Sequence, residues 1–244
     1  MKKVIIFTVL FFVLFQVNAA TLTVCESGCD YTSVKAAVTA AAADDIIDIH
    51  AGTFQDYNIL IDKNLTIQGA GRNDTIVQAK SSEGYGNYRV FNITDGTVTF
   101  KNMTIRYGYA NTDNSCGGGI NFAGTLLIVD NCYIHANGSY SNGGGIQVSA
   151  GSAIINKSLI LGNKADGDYG GGVSAYNSVV TITESTISGN SAGYGGGMYV
   201  NKAEMNIEKS VVSGNTASSY GGGIYNYNIS STNIKNSTVS NNFA

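Results

Sequence analysis

Five glycine triplets recur along the second half of the chain: 117–119, 143–145, 170–172, 195–197 and 221–223. Their starts lie 26, 27, 25 and 26 residues apart. Three more columns keep step with them. An apolar residue follows each triplet (Ile120, Ile146, Val173, Met198, Ile224). A small residue comes later with an aliphatic one two places on: Cys132/Ile134, Ser158/Ile160, Ser185/Ile187, Ser210/Val212, Ser237/Val239. Five residues after the small one stands an asparagine: Asn137, Asn163, Asn190, Asn215 and Asn242. A fixed period of this length is the mark of a repeat architecture.

The unit is rich in Gly, Asn, Ser and Thr, which are poor in helix interiors. Short alternating pieces such as Ile146-Gln147-Val148 and Thr181-Ile182-Thr183 have the period of strands. Two or three short strands joined by Gly and Asn corners make one turn of a parallel β-helix. Each turn then pairs with the next at about 4.8 Å, so equivalent residues stack in columns. On this reading the aliphatic columns fill the interior and small Ser or Cys permits close packing. Asn tolerates a left-handed backbone and satisfies corner amides through its side chain. The chain has 31 glycines and no proline. Continuous backbone pairing explains the second number, since a proline would remove a ladder hydrogen bond.

Upstream, Ile46–Ile49, Leu65–Ile67, Ile76–Gln78, Val90–Ile93, Val98–Phe100 and Met103–Ile105 read as irregular strands of the same solenoid. Thr32–Ala43 is the one good helix, capped by Thr32 or Ser33 and apolar at Val34, Ala37, Val38 and Ala41. The predicted organisation is therefore a signal peptide over 1–19, an N-terminal cap with helix over 20–45, and an all-β parallel solenoid over 46–244. Regular coils start at 117. After Asn242 the chain stops about six residues before another triplet is due, so the solenoid reads as incomplete at its C-terminus.

Residues 1–19 carry two lysines, an apolar run from Val4 to Val17 and small residues that suit cleavage after Ala19. Export is expected, with no membrane span in the mature chain. Without Lys2 and Lys3 the chain has 12 basic and 17 acidic residues, formally −5. That balance excludes a nucleic-acid partner, which needs a basic surface. Cys25 and Cys29, in CESGC, are spaced for a small disulfide loop; Cys116 and Cys132 are left open between a bridge and free thiols.

The segment YTSVKAAVTAAAADDIIDIHAGTFQD followed by NLTIQGAG resembles the N-terminal part of pectin-lyase-like, right-handed parallel β-helix proteins. His50-Ala51-Gly52-Thr53-Phe54 stands where that family has a Pro-Gly-Thr-Tyr turn. GGGI…ISGN and GGGM…VSGN resemble the paired GGA-I and F-x-x-N repeats of polymorphic outer-membrane proteins. Asn137, Asn163, Asn190, Asn215 and Asn242 match the repeat asparagine, while Ile or Val replaces the phenylalanine. The resemblance implies the fold and a location outside the cell or at the cell surface or outer membrane. It implies little about activity, because such repeats serve adhesins, surface proteins and enzymes alike.

Enzymes that this resemblance brings into view use clustered carboxylates with calcium and a basic residue, or paired aspartates with a histidine. Asp166 and Asp168 in KADGDYG are the candidate calcium ligands; no other cofactor is expected. Asp44-Asp45 ends the helix and reads as structural. Arg72, Arg89 and Arg106 are spaced 17 residues apart, out of step with the coil, and read as surface groups. His50 and His135 lack metal-ligand spacing. Tyr169, Tyr194 and Tyr220 each precede a triplet and should stack along one edge. Tyr199 and Tyr225 should face outward on adjacent coils, forming with the others a row suited to sugar rings. The expected partner is a polysaccharide or a cell-surface glycan. The first functional reading is a non-catalytic, adhesin-like or polysaccharide-contacting module. The alternative is a carbohydrate-active enzyme, a polysaccharide lyase or glycoside hydrolase with a divergent site.

Overall fold

The computed structural model describes residues 19–111 and 116–244. The signal segment thus falls outside the described residues, apart from Ala19. The chain forms a right-handed parallel β-solenoid of about eight turns. Four parallel sheets of nine, eight, seven and five strands run along it. The six upstream strand segments all form strands, within a residue or two of the expected bounds. Thr21–Val24 already pairs in register with Ile46–Ile49, so strand pairing begins ahead of the helix. Among the described residues the chain has one helix, Val34–Ala40, shorter than its sequence pattern. Ser33 is its N-cap, accepting from the Ala36 N–H, and Val34, Ala37, Val38 and Ala41 are buried with the core.

The first four regular coils each carry four strands, and the last carries three; two or three were expected. After Gly143 the four are Ile146–Val148, Ser152–Asn156, Leu159–Leu161 and Lys164–Ala165. The fourth, just after the column asparagine, varies in length from two to five residues between coils. It belongs to the five-stranded sheet, whose register slips between Ala192 and Tyr194. Coil follows coil in register on the other three sheets: Ile146 pairs with Val173, Val173 with Met198 and Met198 with Ile224. Phe91, Phe100, Phe122 and a succession of Ile, Leu and Val fill the interior.

The asparagine column is a buried hydrogen-bonded ladder. The Asn190 Oδ1 accepts from both the backbone N–H (2.9 Å) and the Nδ2 (3.1 Å) of Asn163. Its own Nδ2 donates to the Asn215 Oδ1 at 2.9 Å and to the Ile160 carbonyl at 2.9 Å. Asn137, Asn163 and Asn215 repeat this pattern, and Asn242 closes it. One part of the expectation is corrected. The ladder asparagines do not have positive φ; the residues before them do, namely Ala136, Gly162, Gly189, Gly214 and Asn241. That preceding residue turns the corner, which aims the amide inward. The serine column forms a second ladder. The N–H groups of Cys132, Ser158, Ser185 and Ser210 donate to the Oγ of Ser158, Ser185, Ser210 and Ser237.

The three glycines of a triplet answer three separate constraints. In the coil at 170, Gly170 has φ +69°, a conformation side chains avoid. A Cβ on Gly171 would collide with the Ser191 carbonyl of the next coil. On Gly172 it would lie 3.0 Å from the Asn190 Nδ2, pushing against the ladder.

Replacing Asn190 by Ala should therefore destabilise the fold by about 3 kcal/mol, since several buried donors and acceptors lose partners together. Asn233→Ala removes only the exposed Asn233–Asn206 pair and should cost under about 0.5 kcal/mol. Chemical denaturation of the two variants checks the contrast.

Candidate functional site

The tyrosine columns converge into one array. Tyr169 stacks on Tyr194 at 5.2 Å, and Tyr194 on Tyr220 at 5.9 Å. Tyr199 stacks on Tyr225 at 5.9 Å. The two columns also meet each other, with Tyr169 4.4 Å from Tyr199 and Tyr194 5.7 Å from Tyr225. Tyr227, which the periodicity did not single out, joins at 6.4 Å from both Tyr199 and Tyr225. Ring spacings near the distance between coils follow from residues held in register on adjacent turns.

The expected exposed row needs one correction: Tyr199 is only 5% exposed. It faces away from the solenoid interior, yet its neighbours cover it. The same holds for the residues ahead of it in that column, Gln147 and Ser174, at 3% and 1% exposed. These three line a groove of about 350 Å³, walled by Tyr169, Tyr176 and Tyr227. Asn142, Ser149, Asn201 and Cys116 complete it. Burial pushes the Tyr199 phenol up to about 12, helped by nearby Tyr169. It therefore stays protonated at neutral pH and accepts from the Asn201 Nδ2 at 3.2 Å.

Two acceptors in this groove have no partner among the described residues: the Oε1 of Gln147 and the Oδ1 of Asn142. Native structures leave few buried polar atoms unsatisfied, and each one calls for an explanation. Sequence reasoning passed over both. Gln147 sits between two buried aliphatics in an ordinary strand, and only its column neighbours reveal that its Oε1 lacks a partner among the described residues.

Asp166 lies elsewhere, in a pocket of about 290 Å³ with Glu83, Tyr85, Tyr109 and Lys164. Its carboxylate accepts from the Tyr109 hydroxyl and pairs with the Lys164 Nζ at 2.5 Å. Burial and then this carboxylate push the Tyr109 phenol up; the same carboxylate raises the Lys164 ammonium. A calcium ion at Asp166 would have to displace Lys164. Among the described residues Asp166 and Asp168 belong to no cluster of three metal-ligating side chains. Asp45 is structural, its two oxygens accepting from the N–H groups of Ala20 and Ala42, each at 2.7 Å.

Arg106 donates to the Gln78 Oε1 at 2.8 Å and covers Tyr107, while Arg89 donates to the Asn92 Oδ1 at 3.0 Å. The three arginines are not brought into either pocket. His135 stacks on Tyr133 at 4.1 Å, its imidazole pushed down by burial and then by Arg106. Cys25 and Cys29 form a disulfide beside His50. Cys116 and Cys132 are free thiols. No helix of the described residues is long and apolar enough to cross a membrane.

No protein-family model and no curated protein matches this chain. Among solved structures, the pectin methylesterase from carrot matches with a TM-score of 0.53 at 14% identity, over 91% of this chain and 83% of that one. The deglycosylated pectin methylesterase from Aspergillus niger matches with a TM-score of 0.52 at 14% identity, over 90% and 85%. At that identity the likeness is one of fold, the pectin-lyase-like parallel solenoid. Nothing in these comparisons supports the second resemblance, to outer-membrane repeats, or the adhesin-like reading drawn with it.

The thiols provide a check on the packing. Cys132 is fully buried in the serine column, and burial pushes its thiol up to about 12. Cys116, half-buried at the groove, should be labelled by a disulfide reagent in the native protein at pH 8, and Cys132 only after unfolding. Because the folded value of Cys132 lies above its unfolded one, this group favours folding less and less as pH rises from about 8.5 toward 12. Labelling stoichiometry with and without denaturant tests the assignment.

Proposed function

We propose that this chain is an exported, carbohydrate-active protein that seats a polysaccharide on its tyrosine face. The observation that supports it best is the groove between Tyr169, Tyr176, Tyr199 and Tyr227, with two amide oxygens left without partners. Sugar rings need a flat apolar surface together with hydrogen-bonding groups at its edge, and tyrosine supplies both. The pectin methylesterases that share the fold are named for a polysaccharide, in keeping with this class of ligand. Export rests on the character of the first nineteen residues, and the short helix would then shield the N-terminal end of the solenoid core.

An enzymatic role fits this reading better than a passive one. Glu83 and Asp166 share the second pocket, and two carboxyl groups are the minimum equipment for glycosidic cleavage. Glu83→Gln and Asp166→Asn should each lower release of new reducing ends at least about 100-fold. A bound polysaccharide left intact by the wild-type chain would identify a binding module instead.

With 15 tyrosines and no tryptophan, intrinsic emission comes from tyrosine alone, and seven of the fifteen stand on this face. Titrating the full chain with a polysaccharide panel should change that emission for at least one polymer. Tyr176→Ala and Tyr227→Ala, both at partly exposed positions, should weaken that binding about tenfold, or roughly 1.4 kcal/mol. Unchanged affinity in both variants would reject the tyrosine face as the binding surface.

A further inference from the structure

We infer that the tyrosine groove is a subsite for a neutral sugar, whose hydroxyls donate to the Gln147 Oε1 and the Asn142 Oδ1; this rests on the polysaccharide reading above. The orientation of the glutamine amide is settled by its surroundings. Its nitrogen donates to the Val148 carbonyl and the Ser149 Oγ, both at 3.3 Å. A backbone carbonyl only accepts, so the nitrogen must be on that side and the oxygen on the other. That oxygen is buried and has no partner among the described residues.

Its isolation follows from the column in which it stands. One coil earlier Asn121 donates to the Asn92 Oδ1 at 2.8 Å, so amides there support each other from turn to turn. On the far side of Gln147 the column continues with Ser174, which does not reach the Oε1, and then Tyr199. An amide ladder that gives way to aromatic rings leaves one acceptor facing the groove. Burying it unpaired costs on the order of 1–3 kcal/mol, a cost that a ligand hydroxyl removes.

The chemistry of the ligand follows from what the groove offers. Both unpaired atoms are acceptors, so they take O–H groups and repel the oxygens of carboxylates, sulfates and phosphates. The described lining residues are Asn, Gln, Ser, Tyr and Cys, with no charged group. Arg89 is not among these residues, and its Nη1 donates to the Asn92 Oδ1. The groove thus provides rings for a sugar face and acceptors for its hydroxyls, and no cation for a uronate. Its volume is at the lower end of ligand pockets, which run from about 300 to 1,000 Å³.

The test compares neutral polymers (galactan, arabinan, xylan) with uronates (polygalacturonate, alginate), using the full chain and calorimetric titration. The wild type should bind at least one neutral polymer at least tenfold more tightly than either uronate. Gln147→Leu keeps the approximate volume and removes the acceptor. It should weaken neutral binding at least tenfold while the chain still folds, its melting temperature within a few degrees of wild type, because the lost unpaired acceptor offsets the two lost amide hydrogen bonds. A lowered melting temperature with unchanged binding would give Gln147 a structural role and overturn the inference. So would a preference for uronates that still depends on Tyr176 and Tyr227, which would leave the broader polysaccharide reading intact. Failure to bind any polymer of either charge would overturn both.

Discussion

Backbone pairing between successive turns is the interaction on which everything else in this molecule depends. With each coil held against the next at one strand spacing, a residue's nearest neighbours are its own equivalents one turn away. A buried amide in such a stack must be satisfied by another amide, and the ladder from Asn137 to Asn242 is that solution. The serine column solves the same problem with hydroxyls. Glycine is demanded where the stack is tightest, and the second and third residues of each triplet are set by the neighbouring coil rather than by their own torsions.

Much of this could be read from the chain, for a physical reason: a column in space is a period in sequence. The five asparagines, the Ser/Cys column and the aliphatic positions were legible because stacking forces like onto like. The strand segments upstream were legible from alternation alone. What the period does not encode is torsion and solvent access. It attributed the left-handed corner to the asparagine instead of the residue before it. It also left out the fourth strand, two to five residues of Gly, Ser, Thr, Ala, Lys and Tyr without an aliphatic alternation to mark it.

The candidate site divides along the same line. Stacking of Tyr169, Tyr194 and Tyr220 follows from register and was foreseen. Burial of Tyr199 was not, since it depends on Tyr169 and Tyr227 reaching across from other positions. Gln147 was invisible because its character comes from the absence of a partner, a property of neighbours one coil away. Asp166 illustrates the converse. Its acidic context suggested a metal ligand, but Lys164 and Tyr109, one two residues away and the other 57, already occupy the carboxylate.

The short fourth strand and its slipped register have a consequence for how such a chain can change. From Gly117, Gly143, Gly170 and Gly195 to the ladder asparagine is always twenty residues, whereas the interval from asparagine to the next triplet is six, seven, five and six. In these four coils every change of length falls on the fourth side, a seam; the fifth, from Gly221 to Asn242, takes twenty-one residues, with one more at the corner between Tyr227 and Ser231. Tyr169, Tyr194, Tyr220 and Asp166 all lie on that seam. Insertions and deletions there can reshape what the surface meets while every ladder stays closed.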